Sequence, residues 1–152
     1  MRLASKLIGI AAVSAAVMAT GVLPASADNG PVDARKYTDS GHDSGGHAWA
    51  TVTFKSRTRV DYSKMYVNDT CPGDGFRVLG RAVALLRNGT KIHGAWHEDQ
   101  GTCDSTMFGP YAGPLTSSSG DIMSAGIEVC IDKGDTNSCD TSKLLDSQYT
   151  SY

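Results

Sequence analysis

From Met123 to Asp132 the chain alternates without a break, Met123, Ala125, Ile127, Val129 and Ile131 against Ser124, Gly126, Glu128, Cys130 and Asp132. A period of two over ten residues puts one side of an extended strand on a core, a pattern no helix can present on one face. The same period runs through Ala48, Ala50, Val52 and Phe54, with Trp49, Thr51, Thr53 and Lys55 between them. The β-branched content of that stretch suits a pleated surface. A further strand is expected over Lys64 to Asn68 (KMYVN), followed by turn chemistry over Asp69 to Gly75 (DTCPGDG).

The stretch FRVLGRAVALLR, Phe76 to Arg87, has enough Ala and Leu for a helix. The Asn88-Gly89 pair that follows decides for a strand, because it favours a type I′ hairpin. The expected pairing sets Phe76–Arg87 against Thr90–Glu98, with Leu85 opposite Ile92. Phe108 to Leu115 contains Gly109, Pro110 and Gly113, which restricts it to a loop or an edge strand. Ser117–Asp121 and Lys133–Asp140 read as turns, and the C-terminal SKLLDSQYTSY as a short last strand or a loop. No internal repeat or heptad is present. Short strands at this spacing predict an all-β fold: a small disulfide-bonded β-sandwich, Ig-like, or an open barrel.

The N-terminus divides from this pattern. Arg2 and Lys6 precede an apolar run from Leu7 to Val22, and Pro24 stands just before Ala25-Ser26-Ala27. That order is a secretory signal peptide, residues 1–27, with a small-x-small cleavage site, and the run is too short and interrupted for a membrane span. Without it 125 residues remain, with 12 basic against 16 acidic side chains and a net charge of −4. No basic block survives, which argues against nucleic acid or an anionic membrane as the main partner. Residues 28–46 (DNGPVDARKYTDSGHDSGG) hold few apolar side chains and are expected to be a flexible segment ahead of a β-domain at 47–152.

Cys71, Cys103, Cys130 and Cys139 form an even set in a short exported chain, which reads as a disulfide framework. Three pairings are possible. A local Cys130–Cys139 loop with Cys71–Cys103 across the middle is the preferred one. A zinc site is disfavoured because there is no C-x-x-C and no paired His beside a Cys.

The histidines offer little chemistry. In HGAWHE, His93 and His97 lack the H-E-x-x-H register, and on a strand they would share a face about 13 Å apart, too far for one metal. His42 and His47, with Asp39 and Asp43, could hold a transition metal weakly, but their Gly/Asp setting is that of a solvated linker. DKGDTNSCD, Asp132–Asp140, lacks the EF-hand register and reads as an Asx-rich turn. No serine sits in G-x-S-x-G, and Glu98 and Glu128 are the only glutamates available for a glycosidase pair. Trp49, Trp96, Tyr62 and Tyr66 could make a sugar-stacking platform, or pack across strands. Asn68 and Asn88 head N-x-T matches, the second already explained by its hairpin. The expectation is therefore a binding module, with no enzyme activity, cofactor or metal. PVDARKY, Pro31–Tyr37, is the segment suited to bind, as an extended strand with small alternate side chains.

The signal ending in A-S-A, the Gly/Asp-rich segment, AWATVTFKSRTRV (Ala48–Val60), VNDTCPGDG, GTCDS and EVCIDKGDTNSC together resemble a family of small secreted β-proteins of streptomycetes. That family includes the adaptor subunit of umbrella toxin particles, and the resemblance spans roughly residues 48–140 in layout. It implies a secreted, non-enzymatic adaptor in an extracellular antibacterial complex. The implied protein partners are a lectin subunit carrying a trypsin-like domain and a large repeat-containing toxin subunit. The implied docking strand falls on Val32, Asp33, Ala34, Arg35, Lys36 and Tyr37, with Arg35 or Lys36 suited to an acidic specificity pocket. A secreted protease inhibitor, suggested by the same ARK segment and by CPGDGF, and a small carbohydrate-binding module are the rival expectations.

Overall fold

The computed structural model describes residues 29–38, 44–70, 75–99, 107–134 and 137–149. The signal peptide, Cys71 and Cys103 lie outside these residues, as do His42, Asp39 and Asp43. The fold is all-β, in two sheets. The first sheet has the order β1 (Gly30–Tyr37), β2 (Gly45–Ser56), β3 (Arg59–Asp69), β7 (Phe108–Thr116). In the second, β8 (Ile122–Asp132) and β4 (Arg77–Leu86) are central. The short strands β5 (Lys91–His93) and β6 (His97–Asp99) flank β4, and β9 (Asn137–Thr141) and β10 (Leu145–Asp146) flank β8. All strand pairs are antiparallel.

Alternation decides which side chains fill the space between the sheets. Ala48, Ala50, Val52 and Phe54 of β2 face inward, as do Val60, Tyr62, Met65 and Val67 of β3. Val78, Ala84 and Leu86 of β4 meet them from the second sheet, with Ala125, Ile127, Val129 and Ile131 of β8. Tyr62 crosses this core and donates its hydroxyl hydrogen to the Val83 carbonyl at 2.8 Å, a polar tie between the sheets. Burial pushes its phenol well above the usual range.

Several expectations change. Residues 30–37, read from sequence as part of a flexible segment 28–46, form strand β1, paired with β2 from Gly30↔Val52 to Tyr37↔Gly45. Val32 and Ala34 are 5% and 4% exposed and belong to the core. What composition missed is that β2 offers a free edge for this segment, so pairing and two buried side chains order it. The β-domain thus begins inside the segment expected to precede it. The β4–β5 hairpin exists, but its register is Ala84↔Ile92 rather than Leu85↔Ile92. Gly89 alone of the Asn-Gly pair has positive φ, 83°, and its N–H bonds the Leu86 carbonyl at 2.9 Å. Leu86 in turn bonds the Thr90 carbonyl, making a three-residue loop in place of the two-residue type I′ turn, hence the shift by one. In β8 a bulge opposite Leu85 and Leu86 gives the core place expected of Met123 to Ile122.

Cys130 and Cys139 are bonded to each other and stand directly opposite on β8 and β9, as the local pairing required. Phe108–Thr116 is an edge strand, and the C-terminal segment contributes β10, the strand option in each case. Among the described residues no helix is long and apolar enough to cross a membrane.

Candidate functional site

The six residues of Val32–Tyr37 divide by face. Val32 and Ala34 sit opposite Ala50 and Ala48 and are held in the core. Asp33 and Arg35 point outward, opposite Trp49 and His47. The Asp33 carboxylate pairs with His47 Nε2 and with Arg35 Nε, the latter at 3.5 Å. Arg35 also hydrogen-bonds Tyr37. Lys36 Nζ reaches Asp140 Oδ2 at 3.3 Å and so clasps β1 to β9 in the other sheet. Both basic residues expected to anchor in an acidic pocket already hold a carboxylate of their own chain. The outer side of β1 has no strand neighbour among the described residues.

The four aromatics considered as a sugar platform are not brought together. Tyr62 is core, and Trp96 lies on the second sheet. Trp49 and Tyr66 are opposite on the outer face of the first sheet, with ring centroids 5.3 Å apart, and His47 packs on Trp49 at 4.6 Å. The Trp49 ring is thus engaged by its own neighbours, as cross-strand packing demands.

The second sheet carries a more closely built arrangement. Its β5–β6 edge contains a bulge: Gly94 N–H bonds the Ala82 carbonyl at 3.0 Å, while Gly80 is opposite His97. Ala95 and Trp96 therefore share one partner, Arg81. Trp96, 38% exposed, lies under the Arg81 guanidinium, whose carbon is 3.9 Å from the ring centroid. Arg81 Nε and Nη2 each approach Glu128 Oε2 at 2.6 Å. His93 is near this pair, and burial, then the Arg81 charge, holds its pKa below the ordinary value. The bulge also separates the histidines expected on one face. His93 follows Val83 to the outer face, whereas His97 lies opposite Gly80 on the inner side.

His97 stacks on Tyr111 of β7, with centroids 3.9 Å apart and planes 19° from parallel. Burial lowers its pKa too, which favours the neutral ring. This pair borders a cleft of about 220 Å³ where the sandwich opens between β7 and the bulge. Tyr62, Met65 and Leu115 contribute apolar wall, and Ala82, Gly94, Ala95 and Gly113 leave the space by being small. No charged side chain lines it among the described residues. The only sequence trace of this site is its density of Gly and Ala on strands that should carry bulk. Alternation alone could not place those residues together.

Among the described residues no three His, Cys, Asp or Glu side chains gather closely enough to hold a metal ion. Of the CPGDGF loop, residues 71–74 lie outside the described set. Compared with known proteins, the chain matches no protein-family model, no curated protein and no solved structure.

Proposed function

We propose that this protein is a secreted, non-enzymatic adaptor of an extracellular antibacterial toxin complex, with β1 as its docking strand. The observation that carries the reading is the free outer edge of β1, eight residues long, which presents Asp33 and Arg35 while Val32 and Ala34 fix it to the core. An exposed strand edge gives a partner backbone hydrogen bonds for affinity and flanking side chains for specificity. The Cys130–Cys139 bond is in keeping with an oxidising, extracellular setting. The sequence resemblance supplies the candidate partners, a lectin subunit with a trypsin-like domain and a large repeat-containing toxin subunit.

The architecture shapes how docking works. Threading Arg35 or Lys36 into a protease pocket would break the Asp33 and Asp140 pairs and draw Val32 and Ala34 out of the core. Burying a valine contributes about 1.5–3 kcal/mol, so docking with β1 in place is the less costly route. Deleting residues 28–46 would remove a core strand and is no clean test. The exposed variant Arg35→Glu keeps the inward residues. Tagged wild-type protein captures its partners from culture supernatant, and Arg35→Glu, which stays folded with only the small loss of stability that an exposed ion pair carries, recovers about tenfold less. Equal recovery by the two proteins would sink the docking role.

A further inference from the structure

The cleft between β7 and the β5–β6 bulge lies at the opposite edge of the first sheet from β1, and its geometry does not depend on the β1 reading. Three observations bear on what it takes. The first is that the space is made by a missing side chain. Gly113 is directly opposite Tyr62, whose side chain lies in the core, so a side chain at 113 would point the same way. An ideal Cβ built there meets no atom within 4 Å. The second is size and polarity. At about 220 Å³ the cleft falls below the range of drug-sized ligand sites, which is about 300–1,000 Å³, and suits a single ring. Met65 and Tyr62 offer it a thioether and an aromatic surface, and sulfur–aromatic contacts are favourable. A sugar would find few polar partners, since the Tyr62 hydroxyl is committed to Val83 and only His97 and Tyr111 add polar side chains to the lining. The third is the edge itself. No strand pairs with the outer side of β7 among the described residues, and Ala112 and Gly113 there are exposed and small.

A free strand edge beside a one-ring, uncharged pocket is the arrangement by which an extended peptide adds to a sheet and seats one side chain. We infer that β7 receives an extended segment of a protein partner, with one aromatic side chain inserted in the cleft beside His97 and Tyr111. The backbone of that segment runs along Ala112 and Gly113, between Pro110 and Pro114, which have no N–H and contribute only their carbonyls. His97 gives or accepts a hydrogen bond at a polar end of the ring, such as a phenol hydroxyl. With β1 at the far edge, the first sheet then carries two docking edges facing opposite ways.

The test uses the full mature protein and a synthetic capped heptapeptide, Ser-Thr-Val-Tyr-Val-Thr-Ser. It is titrated while amide and aromatic NMR signals are followed, against the same peptide with Lys or Glu at its centre, free N-acetyltyrosine amide, and methyl glucoside. The tyrosine peptide shifts the signals of Ala112, Gly113, His97 and Tyr111, and binds about tenfold more tightly than the Lys or Glu peptide. Gly113→Leu fills the cleft, raises the thermal midpoint and abolishes the shifts, whereas Arg35→Glu leaves them unchanged. Equal binding of the charged peptides would overturn the inference, as would undiminished binding by Gly113→Leu. So would a response to methyl glucoside or free N-acetyltyrosine amide matching that to the peptide, or none to the tyrosine peptide at millimolar concentration. Because Arg35→Glu probes only β1, failure here and failure of the adaptor reading are distinguishable.

Discussion

Tyr62 is the residue on which the two sheets most directly depend for polar order. Among the described residues it is the one buried tyrosine of the core cluster, and its hydroxyl satisfies itself on the Val83 carbonyl instead of water. A buried hydroxyl without such a partner would be costly, so the bond fixes how β3 lies over β4. Tyr62→Phe keeps the ring and removes the bond, and it lowers unfolding free energy by about 0.5–1.5 kcal/mol in urea titration. An unchanged midpoint would mean the hydroxyl is neutral in the balance. The sequence offered Tyr62 as one of four candidates for a surface platform. Only the β3 register, set by a bulge at Lys64 with its φ of 49°, turns it inward.

At the level of elements, the distance between the sheets is set by what is absent from their inner faces. Gly80 of β4 lies beneath β3, and a Cβ there would stand 2.6 Å from Val67 Cγ2 and 3.4 Å from Ala48 Cβ. Gly80→Ala therefore overpacks a closed region and destabilises by about 1–3 kcal/mol, read as a lower thermal midpoint. Gly113→Leu, at the open edge, acts in the opposite direction, and the pair of variants distinguishes packed from vacant glycine on one core. The strands themselves were largely legible: β2 and β8 announce their inward residues by alternation, and Asn88-Gly89 announces a hairpin. Bulges were not, because a single extra residue changes no composition yet reverses every side chain after it. That is why His93 and His97 part company, and why Met123 yields to Ile122. Strand β1 was legible as an extended segment, but its place in the sheet was not, for another reason. Two small apolar residues among charges signal no core face alone, and the edge of β2 that orders them lies ten or more residues away.

At the scale of the whole molecule, titration and structure meet at the β5–β6 edge. His93 faces Arg81, Glu128 and Lys91 on the outer side, and His97 is set inside against Tyr111. Both histidines have their pKa lowered from the ordinary 6.5, chiefly by burial. The folded protein thus binds fewer protons than the unfolded chain as the pH drops below that value. Stability from this source is complete above about pH 6.5 and is lost as pH falls through the folded values. Asp132 is depressed as well, by the Gly134 N–H and then by Arg77, from the ordinary 3.8, so its loss belongs to a more acidic range. Thermal midpoints at about pH 7.5 and about pH 5.5 therefore bracket the range of His93 and His97 and leave out that of Asp132. The midpoint falls over this interval in the wild type, and falls less in the double variant His93→Gln/His97→Gln, whose side chains cannot take up a proton. If wild type and double variant track each other, His93 and His97 are not the source. Because His97 also borders the cleft, acid that protonates it places a charge where the lining holds none. Binding of the tyrosine heptapeptide then weakens over the same interval, tying the stability of this edge to its availability for a partner.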